Sequence, residues 1–197
     1  RFRTVRQKAI QARQLVLTLP HSHSAHRDGS HSDSHAHSQA DRSFREIEQL
    51  IRKSSLRPAV RSRALGIFQL VAEAEGKVHG VPPSKVHFHE VGALDSIIDI
   101  VGAAIGVEYF QFDKIYCSPL PLGSGFVETQ HGRYPVPAPA TLEILKGFPL
   151  ADHPEPGEWT TPTGAAIAKA LAEPVEGMPR MAVRRIGYGS GSRMGLT

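Results

Sequence analysis

The stretch "KVHFHEVGALDSIIDIVGAAIGVEYF" (residues 85–110) decides how this chain is read. "KVHFHEV" alternates polar and apolar residues as a strand does, and from Leu94 onward the sequence is apolar almost all round, as in a buried helix. Gly102, Ala103, Ala104 and Gly106 leave room for a close neighbour, so the helix is expected at the centre of the fold. The same stretch holds His87, His89, Glu90, Asp95 and Asp99 among Val, Ile, Phe, Gly and Ala. Each of those groups needs a reason, because an unpaired buried charge is strongly unfavourable or is neutralised.

Side chains two apart on a strand share a face, so His87 and His89 project together and Glu90 points the other way. His-x-His on a strand offers two imidazoles to one metal ion. Edge-strand histidines bonded to backbone are the plainer alternative. Asp95 and Asp99, four apart, fall on one face of the helix. Asp95 is also explained as an N-cap, whereas Asp99 sits between Ile98 and Ile100 and needs a cation, a donor cluster or a proton. Strand and helix are therefore expected to build one polar site, with His87, His89, Glu90 and Asp99 as ligands or bases. The competing reading is a structural salt bridge to Asp99 from Lys85 or Arg133.

Working outward, "DRSFREIEQLIRKSS" has capping-box spacing between Ser43 and Glu46 and an apolar stripe of Phe44, Ile47, Leu50 and Ile51. "LRPAVRSRALGIFQLVAEAEGKVHG" starts a second helix with Pro58 in its first turn, turns Val60, Ala64, Ile67, Phe68 and Val71 inward, and ends at Gly80. The two form an expected helical hairpin. Beyond residue 110, "KIYCSPLPLG" reads as a strand entering a Pro/Gly loop, "GFVETQHGRYPVP" as a hairpin, and "APATLEILKG" as a short helix closed by Gly147. "TPTGAAIAKALAE" is a helix with Thr161 as N-cap and Pro162 at N1. "RMAVRRIGYGSGSR" reads as a last strand and a glycine loop. The sum is an α+β fold, a mixed sheet packed against helices that include a helical hairpin.

Three segments divide the 197 residues: an extended basic segment over 1–19, a flexible His-rich loop over 20–41, and an α+β core over 42–197. The loop holds six of the eleven histidines, among them His21, His23 and His26, and almost no large apolar side chain. Its imidazoles are either loose metal bait or a solvated linker. Residues 1–65 carry 13 Lys/Arg against 5 acids, residues 66–176 carry 6 against 14, and residues 177–197 carry 4 against none. The acidic middle suits cations. With 7% aromatic residues and no basic-aromatic interleaving, nucleic acid is not an expected partner. No apolar run approaches the ~20 residues of a bilayer span. The single Cys117 makes no internal disulfide, and a cytoplasmic location is expected. Flat glycine-rich loops and an exposed hairpin favour a homo-oligomer.

Further candidates lie downstream. His131, between Gln130 and Gly132, is an acid/base candidate or a merely solvated loop histidine. Thr163 and Gly164 stand at a helix N-terminus, which favours anions but is equally explained by capping. Gly187, Gly189 and Gly191 form a glycine loop with Arg193 that could touch a phosphate, although it lacks the lysine and helix placement of a P-loop.

Taken in order, "VHFHEVGALDSIIDIVGAAIG", "SPLPLGSGFVETQHGRYPVPAPATLEILKG", "TPTGAA" and "RIGYGSG", with the His-rich loop ahead of them, resemble the nickel-insertion proteins of nickel-pincer cofactor synthesis. The resemblance covers nearly everything from about residue 41 onward. It implies insertion of Ni²⁺ into pyridinium-3,5-bisthiocarboxylic acid mononucleotide, with CTP hydrolysed to CMP and pyrophosphate and Mn²⁺ or Mg²⁺ assisting the nucleotide. The product would serve lactate racemase. On that reading His87, His89, Asp95 and Asp99, with His21, His23 and His26, handle metal. His131 and Glu90 handle protons, and Thr163, Gly164, Gly187, Gly189 and Gly191 lie near phosphate. Such proteins have a segment ahead of the present Arg1 and a C-terminal domain associated with CTP, so this piece is expected to bind nickel or substrate without turnover by itself. The alternatives are a non-catalytic nickel store or metallochaperone using the His-rich loop, and a metal-dependent hydrolase, for which no further His/Asp motif stands at the required spacing.

Overall fold

A computed structural model describes residues 1–7, 9–16, 42–88, 94–129 and 132–191. It divides into two units, residues 36–179 and residues 1–35 with 180–197.

The larger unit is built on helices. Helix α1 (Phe44–Lys53) begins with the expected capping box: the Ser43 hydroxyl accepts the Glu46 N–H at 3.3 Å, and Glu46 Oε2 accepts the Ser43 N–H at 2.7 Å. That reciprocal pair contributes on the order of 1 kcal/mol. Those Ser43 donors hold the Glu46 carboxyl below its usual range, with smaller help from the charges of His87 and Arg42. Phe44, Ile47 and Ile51 are buried as expected, but Leu50 is 53% exposed. Positions 44, 47 and 51 already fill the stripe that meets the core, and Leu50 lies beside it.

Helix α2 (Pro58–His79) is the hub, touching α1 and all three helices that follow. Val60, Ala64, Ile67, Phe68 and Val71 are buried, and Gly80 closes the helix at φ 67°, a left-handed cap that glycine adopts without a Cβ penalty. Helix α3 (Leu94–Phe110) departs from expectation. Only Ile97, Ile100 and Ala104 are buried along it, and Ile105, Tyr109 and Phe110 are exposed. Gly102 and Gly106 have open space where a Cβ would stand, so these two glycines admit no close neighbour among the described residues, and of the small residues Ala104 alone is fully buried. The helix flanks α2 instead of running through the centre, and Arg63 and Arg57 grip its Glu108 at 2.6 and 3.5 Å. Helix α4 (Pro139–Ile144) is tied back to α2 by Lys77 and Glu143 at 2.8 Å. Helix α5 (Pro162–Leu171) starts as predicted, with Thr161 capping and Pro162 at N1.

The strands are short and come as two-stranded ladders. The smaller unit contains an antiparallel pair, β1 (Phe2–Gln7) and β2 (Ile10–Leu15). In the larger unit β3 (Arg42–Ser43) pairs antiparallel with β4 (His87–Phe88). The segment after α3 supplies β5 (Tyr116–Cys117), β6 (Leu120–Pro121) and β7 (Gly123–Ser124). Next come the hairpin strands β8 (Phe126–Thr129) and β9 (Gly132–Pro135), then β10 (Leu150–Ala151), β11 (Gly157–Glu158) and β12 (Glu173–Pro174). Pairs β6–β10 and β5–β12 are parallel, and β7–β11 and β8–β9 are antiparallel. The α+β class holds, with both pairing senses present. At Gly123, φ is 85° and an added Cβ would run into the Gly157 carbonyl and the Trp159 ring, so only glycine fits where β7 meets β11.

The predicted last strand is absent from residues 181–188; only a single parallel bridge joins Gly189 to Arg13. Met181, Val183, Ile186 and Tyr188 are all more than half exposed, so among the described residues of this unit nothing buries them as a strand's inner face would be buried.

Candidate functional site

Phe88 places the site. Its ring is 2% exposed, edge-on to Phe44 at 6.2 Å and tilted against Phe68 at 6.3 Å. Burying Phe88 under α1 and α2 turns the preceding side chain, His87, to the opposite face of the strand, where it is exposed. There His87 lines a shallow, open cleft whose cavity volume is about 60 Å³.

Five further parts of the fold wall this cleft. The last turns of α2 bring Glu75, Val78 and His79, the β8–β9 hairpin brings Val127, Thr129 and Tyr134, the start of α4 brings Ala138–Ala140, and Glu158 of β11 and Pro162 of α5 complete it. The quoted motifs around residues 87, 126–135 and 162 therefore converge. Two carboxylates and two imidazoles stand among apolar side chains, a setting whose charge attracts cations. Glu75 Oε2 lies 3.3 Å from His79 Nε2.

The other predicted residues fall as follows. Asp95 lies inside the first turn of α3 and its Oδ1 accepts the Ser96 N–H at 2.9 Å. Asp99 is exposed, so water can answer its charge and the expected need for a cation or donor cluster does not arise; the desolvation it does have, then repulsion from Asp95, pushes its carboxyl above its usual range. Asp99 is not among the residues lining the His87 cleft, and no described Lys or Arg forms an ion pair with it. Arg133, a proposed partner, stacks on Phe126 at 4.1 Å. Thr163 is half-buried, and the Gly164 N–H is already donated to the Thr161 hydroxyl at 3.2 Å. Gly187, Gly189 and Gly191 belong to the smaller unit. Tyr188 accepts from the Arg13 N–H at 2.9 Å, Ser190 donates back to Arg13 at 3.0 Å, and the Gly191 carbonyl accepts from Gln14 at 3.0 Å. His89, Glu90, His131, Arg193 and the loop histidines His21, His23 and His26 lie outside the described residues. Among the described residues, no three His, Cys, Asp or Glu side chains are grouped to hold a metal ion. Burial pushes the Cys117 thiol up, away from thiolate chemistry.

Glu75, His79, Glu158, Thr129 and Tyr134 are the cleft residues that sequence reasoning missed. Glu75 and His79 carried a signal, i,i+4 spacing at the end of a predicted helix. Glu158, in a polar loop, carried none.

The family model described as "Nickel insertion protein" matches residues 1–196. The chain belongs to the nickel insertion protein family. Relatives named "Putative nickel insertion protein" include those of Geotalea daltonii, 56% identical over 79% of this chain, and Syntrophobacter fumaroxidans, 54% identical over 78%. That of Syntrophotalea carbinolica is 50% identical over 83%. In each case the match covers 40% of the relative's length. No solved structure matches the chain. Among the described residues no helix is long and apolar enough to cross a membrane.

Proposed function

We propose that this chain supplies the nickel- and substrate-handling part of a CTP-dependent cyclometallase in the cytoplasm, working as a homo-oligomer. It inserts Ni²⁺ into pyridinium-3,5-bisthiocarboxylic acid mononucleotide to form the nickel-pincer cofactor of lactate racemase, with Mn²⁺ or Mg²⁺ serving CTP. Family membership supports the metal, and the resemblance of the motifs supports the substrate. One observation carries the site: the His87 strand, the hairpin whose turn contains His131, and the start of α5 meet at a single cleft.

In this reading Ni²⁺ is a substrate, presented by imidazoles, which suit a borderline divalent ion. His87 and His89 deliver it to the cleft, and Asp95 and Asp99 add negative potential nearby. The planar pyridinium ring lies against the apolar wall, its positive charge facing Glu75 and Glu158. Glu90 and His131 are the proton-handling candidates from the motifs, and Thr163, Gly164 and the Gly187–Gly191 loop the phosphate candidates. The loop histidines His21, His23 and His26 gather nickel.

Calorimetry with Ni²⁺ on protein lacking residues 21–37 separates this reading from a nickel store. An insertase keeps one tight site that a combined His87→Ala, His89→Ala change removes; a store loses nearly all binding with the loop. Full-length protein given CTP, Ni²⁺ and the mononucleotide should show the absorbance change of metallation, and its absence would end the enzyme reading.

A further inference from the structure

The end of α2 brings a second imidazole to the cleft, on a different element from the His87 strand. His79 Nε2 faces Glu75 Oε2 at 3.3 Å, and their side chains are 34% and 22% exposed. On an ordinary helix surface such an i,i+4 pair is a minor local stabilisation and nothing more. This pair instead lines the cleft together with His87, Glu158, Thr129 and Tyr134. An imidazole held against a carboxylate is oriented by it, and the carboxylate compensates the charge that an incoming proton brings. Partial exposure gives that proton a way out to solvent.

We infer that His79, positioned by Glu75, accepts the proton released when the substrate's ring carbon is metallated. The inference rests on the insertase reading above. The ring C–H bond breaks, its electron pair becomes the carbon–nickel bond, the proton passes to the His79 imidazole, and nickel remains divalent, so no oxidant or reductant is required. His131, outside the described residues, is the competing acceptor that the test distinguishes.

The test is single-turnover metallation by the full-length protein with CTP, Ni²⁺ and the mononucleotide. His79→Gln should slow the step by about 10²–10⁴-fold while leaving nickel and mononucleotide binding unchanged by calorimetry. His79→Ala should be partly rescued by added imidazole, and ring-deuterated substrate should show a primary isotope effect that grows in His79→Gln. Glu75→Gln should slow the step by about tenfold, a smaller loss as befits a positioning residue. A full rate in His79→Gln overturns the inference and spares the insertase reading. So does loss of nickel or substrate binding in that variant, or imidazole rescue confined to His131→Ala. A wild-type protein that forms no carbon–nickel bond overturns the reading itself, and the inference with it.

Discussion

Helix α2 carries charged side chains toward both ends, yet it is enclosed by α1, α3, α4 and α5. Helix α3 is apolar almost all round and holds one flank of the same unit, with Ile105 42%, Tyr109 72% and Phe110 61% exposed. Eight residues of α2 are buried against three of α3. Hydrophobicity states how much a segment gains from burial; the number of neighbours that the chain connections bring to it decides how much is buried. Helix α2 succeeds because α1, α4 and α5 each offer it an apolar face: Ile47 and Ile51, Ile144, and Ala165 with Ala166. On the exposed side of α3, among the described residues, Tyr109 packs against Phe110 at 5.1 Å and Phe110 on Phe112, just past the helix end, at 5.3 Å.

This contrast can be broken by substitution. Phe68→Ala in α2 removes a fully buried ring, so a loss of about 3–5 kcal/mol is expected in urea unfolding, enough to threaten the fold. A loss below about 1 kcal/mol would show that α2 is not the centre. Asp99→Asn should instead raise the melting temperature, by less than Phe68→Ala lowers it. The folded Asp99 carboxyl sits above its unfolded value, so its charge weakens the fold above the raised folded pKa. That cost vanishes as pH falls below the unfolded value. The stabilisation from Asp99→Asn should therefore be small, largest near neutral pH and fading in acid; a neutral outcome at pH 7 means that solvent screens this exposed charge, and a destabilising one that Asp99 has a cationic partner. Phe110→Ser, on the exposed side of α3, should change stability by no more than about 0.5 kcal/mol. A larger loss would mean that this face is covered in solution.

Much of the helical frame was legible in local sequence. The capping box at Ser43 and Glu46, Pro58 at the start of α2, Gly80 at its end, and Thr161 with Pro162 are marks whose physics acts within a single turn. The β8–β9 hairpin was equally legible. The centrality of α3 and the last strand were misjudged, because both depend on partners distant in sequence. The candidate cleft was half legible: His87, which lines it, stood out in the sequence, while Glu75, His79 and Glu158 emerged only when helix end, strand and hairpin were brought together.

By itself the sequence determined where helices begin and end, the outward turn of His87 beside a buried Phe88, and, through its ordered motifs, the family. Only the tertiary structure decided which helix is enclosed and which carboxylates share a cleft with His87. The first set follows from backbone and side-chain contacts a few residues apart; the second follows from packing among segments up to about eighty residues apart, which no local pattern encodes.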